Sequence, residues 1–166
     1  MTHHMQQDKQ LLEQTLNDAI AVQRFLVEAD RRLANECPPD LRPKLEKMAE
    51  DDTSHAENLR QVLSTFGWQE TEPDDFTSKL IDSSRQVIDS NAPFLKKYGV
   101  YNLLKDKAAA DAASIATVCY ATGDRDCEQL MAVNTTENML HQITMGGHIL
   151  DMMAVKARSA RGKKAA

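Results

Sequence analysis

Rings, turns and cross-links are all scarce in this sequence. Aromatic residues make up 5% of the 166-residue chain, glycines number 6, prolines 5 and cysteines 3. A β-sheet domain needs more turn and aromatic residues than this, so β-structure fits badly. Long helices built from Leu, Ala, Gln, Glu, Lys and Met fit well. Cys37, Cys119 and Cys127 are an odd number without zinc-like spacing or a CxxC pair. That favours reduced thiols in a cytoplasm over a disulfide framework; Cys119 and Cys127 flank a turn across which they could approach one another, and they are read as buried, inert thiols. No apolar run approaches the roughly 20 residues of a membrane span, and the start MTHHMQQDKQ lacks an apolar signal region. Nor is there an excess of positive charge. The net charge of −5 argues against a general nucleic-acid binder. The expectation is a soluble cytoplasmic protein with neither a membrane nor a nucleic acid as partner.

What is present is helical periodicity with clear punctuation. A first helix spans about 6–35 and is stopped by Cys37-Pro38-Pro39. Asp40 is the expected N-cap of a second helix, with Pro43 in its first turn and Gly67 past its end. After a loop, 76–90 reads as a short amphipathic helix broken by Asn91-Ala92-Pro93. A third long helix runs from Phe94 to about Ala121, with Gly99 as a weak point. Gly123-Asp124 gives a turn and a cap, and a fourth runs from Arg125 to Arg158 with a bend or loosening at Gly146-Gly147. Short turns pair the first helix with the second and the third with the fourth. The expected fold is therefore an all-α four-helix bundle with one long crossover carrying a short extra helix. It occupies 1–158 as a single domain, with a flexible basic tail at 159–166.

The inward faces of these helices are unexpectedly polar. In the second helix, Leu41, Leu45, Met48, Asp52, His55, Leu59, Val62 and Phe66 follow one another in steps of three and four, so all eight share a face. The first helix carries Asp18 in the stripe of Leu11, Thr15, Val22, Phe25 and Ala29. The third carries Asp111 between Ala108 and Ile115. In the fourth, Met131, Asn134, Glu137, Asn138, His141, Met145, His148 and Met152 mix polar and apolar groups over several turns. An ionised carboxylate in an apolar interior is costly unless it is paired or bound to a cation. By their distances from the helix ends, Asp18, Asp52, Asp111, Glu137 and His141 fall near one mid-bundle layer. Carboxylates with one imidazole per helix pair form the ligand set of a dinuclear iron or manganese site.

HAENLRQVLSTFG, preceded by Asp52-Thr53-Ser54-His55, resembles the second helix of ferritin-like and rubrerythrin-like proteins, where a Glu-x-x-His motif precedes such a Leu/Val run. NDAIAVQRF at 17–25 resembles their first-helix motif, with Asp18 in the glutamate position. Length, the extra helix and LRPKLEKMAEDDTSHAENLRQVL resemble the YciF-type branch, a group of bacterial stress-associated proteins. The resemblance implies a ferritin-like bundle whose metal ligands are Asp18, Asp52, His55, Asp111, Glu137 and His141. It also implies Fe or Mn as cofactor, oxidase- or peroxidase-type chemistry with O₂ or peroxide, and a homodimer. Asp52 and an acid of the last two helices would bridge the metals, His55 and His141 would each terminate one, and Asp18 and Asp111 would cap the ends.

Departures from that pattern open a second reading. Asp18 and Asp52 are one methylene shorter than glutamate, and the position three before His141 is Asn138, with Glu137 at four before. The third helix offers Lys105, Asp106, Lys107 and Asp111, so the carboxylate facing the site is ambiguous. A lysine ammonium there would replace one cation. The alternative is a non-enzymatic helical bundle with a degenerate metal site, acting through dimerisation or partner binding.

Overall fold

The computed structural model describes residues 3–162. Among them are five α-helices and one 3₁₀ turn, with no strand: α1 (His3–Glu36), the 3₁₀ turn (Pro39–Leu41), α2 (Arg42–Thr65), α3 (Asp75–Asp89), α4 (Phe94–Thr122) and α5 (Arg125–Gly162). The chain is thus all-α, as composition implied. The end of the expected basic tail, 163–166, lies outside the described residues.

Most boundaries follow from local chemistry. Gly67 (φ 72°) and Gly123 (φ 78°) adopt the left-handed conformation that closes α2 and α4. Asp74 caps α3 by accepting from the Thr77 amide at 2.6 Å, and the Asp124 carboxylate accepts from the Cys127 amide at the start of α5 at 3.0 Å. Asp40 is not the cap of α2. It sits inside the 3₁₀ turn, and α2 opens after Leu41 without a side-chain cap. The two consecutive prolines tighten the turn, and Leu41 is driven into the core. Helical assignment continues through Gly99 in α4 and through Gly146-Gly147 in α5.

α1 is the central element, packing against α2, α3 and α4, while α5 packs on α4 and α2. The short α3 is no decoration. It seats Ile81 and Ile88 in the core against α1 and α4, so five helices enclose the interior. That interior is split in two. One apolar cluster gathers Phe25, Leu33, Leu45, Met48, Tyr101 and Met145. The other gathers Leu16, Ile20, Leu59, Val62, Ile115 and Met131. Between them lies a layer of buried polar side chains, and it holds most of the expected site.

Candidate functional site

The centre of this layer is Lys105 of α4, fully buried. Its Nζ donates to Asp52 of α2 at 2.5 Å (Oδ1) and 2.6 Å (Oδ2), and to Asn138 Oδ1 of α5 at 3.2 Å. It also lies 3.0 Å from His141 Nδ1. An ammonium has only donors, so Nδ1 of His141 is the acceptor and its Nε2–H points to Asp51 Oδ2, 3.2 Å away. Burial and the neighbouring Lys105 charge hold the His141 imidazole below its ordinary value of 6.5. Burial pushes the Asp52 carboxyl up, but the Lys105 charge and hydrogen bonds to the carboxylate outweigh it, and its pKa is lowered. Asp52 is therefore an anion bonded to a built-in cation.

A second branch runs through His55, also fully buried. Its Nε2 donates to Glu137 Oε2 at 2.7 Å, and Glu137 is 43% exposed at the rim. Nδ1 faces the amides of Gln23 at 3.2 Å and Asn138 at 3.4 Å, with Asp52 Oδ1 at 3.4 Å. Asn138 is held in register by its own amide, which donates to the Asn134 carbonyl at 2.9 Å. Asn134 in turn donates to the His55 carbonyl at 3.2 Å. The rings of His55 and His141 are 6.2 Å apart.

Asp30 of α1 completes the layer. It is wholly buried, and neither carboxyl oxygen has a hydrogen-bond partner of ordinary geometry. Burial and the adjacent Asp52 carboxylate raise its pKa well above the usual carboxylate range, which favours the neutral acid. Burial and the same two acids also raise the Tyr101 phenol, whose ring stands 5.6 Å from Lys105 Nζ.

Of the six residues expected as ligands, Asp52, His55, Glu137 and His141 converge here, whereas Asp18 and Asp111 do not. Asp18 lies 18 residues before the end of α1 and Asp52 10 residues into α2. At 1.5 Å per residue that is an offset of about 12 Å along antiparallel axes. Asp18 instead accepts from the Asp74 amide at 2.8 Å and from Gln14 at 3.0 Å, pinning the α2–α3 connection. Asp111 is six residues beyond Lys105, about 240° round the helix, and pairs with Lys107 at 2.7 Å. Burial, with Asp18 and Asp74 close by, raises its pKa. Asp106, the other candidate on α4, is exposed and accepts from Gln142 at the surface.

Sequence reasoning missed Gln23, Asp30 and Asp51. Gln23 and Asp30 stand one position beyond Val22 and Ala29, outside the single stripe considered. They are buried because α1 is covered by three neighbours, which widens its inward arc. Asp51, four residues after Lys47, pairs with it at 2.6 Å and meets His141 on its other side.

The side chains present do not fit the dinuclear metal centre that the ferritin-like resemblance implies. Among the described residues, no three His, Cys, Asp or Glu side chains are placed to hold one ion. Where Asp52 and His141 converge, a lysine nitrogen already satisfies them, and a protonated amine has no lone pair to offer a metal.

The turn between α4 and α5 brings a correction. Cys119 and Cys127 are joined as a disulfide, their Cα atoms 5.7 Å apart, and Cys37 alone is a free, buried thiol. The αL conformation of Gly123 folds α5 back so that positions eight apart face each other, and the Asp124 amide donates to the Cys119 carbonyl.

With this geometry in view, two solved structures are similar along most of the chain. The E. coli stress protein YciF superposes with a TM-score of 0.74 at 16% identity, covering 86% of this chain and 94% of its own. YcfI from Rhodopseudomonas palustris gives 0.65 at 16% identity, covering 83% and 92%. The chain has the YciF fold. No protein-family model and no curated protein sequence matches it. At this identity the shared YciF fold speaks for architecture alone, and the chemistry rests on the buried layer. No helix among the described residues is long and apolar enough to cross a membrane.

Proposed function

We propose that this chain is a metal-independent helical scaffold acting by association, built on the ferritin-like four-helix plan with α3 as the crossover's extra helix. In it Lys105 does the charge-balancing work that cations do in dinuclear bundles. The observation that carries this reading is the Lys105 ammonium bonded to both oxygens of Asp52, to Asn138 and to His141 inside a closed chamber. A stress-related role is consistent with the likeness to YciF, and YcfI is described as a candidate structural protein.

The test is anaerobic titration of the full chain with Fe(II) and Mn(II), read by metal content and by melting temperature. The expected result is no stoichiometric uptake and an unmoved melting temperature. Lys105→Met should be destabilised by about 3–5 kcal/mol, because Asp52 is left charged and unpaired, and Asp52→Asn added to it should recover part of the loss. Two metals bound per wild-type chain with a raised melting temperature would overturn the reading. The competing reading, an Fe or Mn oxidase- or peroxidase-type centre using O₂ or peroxide, keeps one observation in its favour: Asp52, His55, Glu137 and His141 share one layer.

A further inference from the structure

The outward face of α5 is the least expected surface of the molecule. From Ala132 to Leu150 the one charged side chain that reaches solvent is Glu137, tied to His55 at the α2 edge, while Val133, Met139, Leu140, Ile143 and Leu150 are 48–69% exposed. On α2, by contrast, the exposed positions include Arg42, Glu46, Lys47, Glu50 and Glu57 and no large apolar side chain. A helix face this apolar is normally packed against another element. Gly146 and Gly147 add an independent sign. Each costs about 1 kcal/mol in a helix interior relative to alanine, yet a Cβ at either would meet nothing within 4 Å in this chain. Nothing inside the protomer requires them.

We infer that this face of α5 is a two-fold interface with a second copy of the same chain, in which Gly147 lets the two helices approach closely. The inference deepens the proposed scaffold function by naming its partner. Recessed glycines beside projecting Leu140 and Ile143 make the surface self-complementary, as an isologous contact requires. From Val133 to Leu150 the seam is about 26 Å long at 1.5 Å per residue. With its flank onto α4, where exposed Asp106 accepts from Gln142 at the margin, it is about 20 Å across. Leu103, 63% exposed, stands there level with Gln142, which donates to the Asn102 carbonyl. That footprint is on the order of 500 Å² in projection and larger as accessible surface, close to the roughly 800 Å² per partner of a stable interface. A lipid surface fits worse. No lysine or arginine lies between Arg125 and Lys156 to anchor α5 to head groups.

The full chain is examined by sedimentation equilibrium from 1 to 100 µM. The expected mass is twice 18.6 kDa. Ile143→Arg should shift it to the monomer with an unchanged helical circular-dichroism spectrum. The milder Gly147→Leu, which tests close approach, should weaken association at least tenfold. A monomeric wild type, or a dimer indifferent to both substitutions, overturns the inference. So does flotation of a monomeric wild type with phosphatidylcholine or phosphatidylglycerol vesicles, which would assign the face to membranes. Metal titration reads the chamber and sedimentation reads the α5 face, so either proposal can fail while the other stands.

Discussion

Asp30 couples stability to pH, because it is an acid held neutral in the core. Its folded pKa is raised above the ordinary carboxyl value of 3.8. Above that pH the unfolded chain releases a proton that the folded chain keeps, so stability falls as pH rises toward the folded pKa. His141 acts in the opposite sense. Its pKa is lowered from 6.5, so below that pH the unfolded chain gains a proton first and stability falls as pH drops. Because the two oppose each other between these values, the wild-type profile alone cannot resolve them, whereas the difference from Asp30→Asn can. Denaturant unfolding should show the stability of Asp30→Asn relative to wild type rising by up to about 1.4 kcal/mol per pH unit above pH 4. A flat difference across pH 4–8 would mean that Asp30 is ionised in the fold.

At the scale of elements, the legible and illegible parts of the sequence separate by cause. Helix ends were readable wherever one residue decides them, as with Gly67, Gly123 and Asp124, because a left-handed φ or a side-chain cap is a local event. Asp52, His55 and His141 were readable as inward positions because periodicity fixes a face. Depth along the axis was not readable for Asp18, since it depends on how α1 and α2 are set against each other by the Pro38-Pro39 turn. The neutralising Lys105 was visible only as an ambiguity among four neighbours on α4. Its long stem lets the charge reach a centre that spacing alone does not reveal. The turn at Gly123 shows in the sequence that Cys119 and Cys127 can approach, but the odd cysteine count favours free thiols, and whether two facing thiols are joined is not written in their spacing. Closing so short a loop limits the unfolded chain modestly. Reduction with dithiothreitol should lower unfolding free energy by about 2 kcal/mol. A Cys119→Ser/Cys127→Ser chain should be insensitive to the reductant, and equal sensitivity in both chains would show that the bridge contributes nothing.

For the whole molecule, charge and apolar surface are segregated. The chain carries 25 acidic and 20 basic residues, yet from Ala132 to Leu150 α5 shows solvent only one of them, Glu137, at its α2 edge. Encounter between two copies bearing a net charge of −5 each is opposed at long range, while the contact itself involves no ion pair. Salt should therefore not weaken association. Raising sodium chloride from about 0.05 to 0.5 M shortens the screening length to a few ångströms, which removes the repulsion and leaves apolar burial intact. Sulfate should strengthen the contact further, since it favours burial of apolar surface. The dimer dissociation constant measured by sedimentation should thus stay level or fall with added chloride and fall again in sulfate. A dissociation constant that rises tenfold or more with chloride would place charged groups at the interface and move it away from α5.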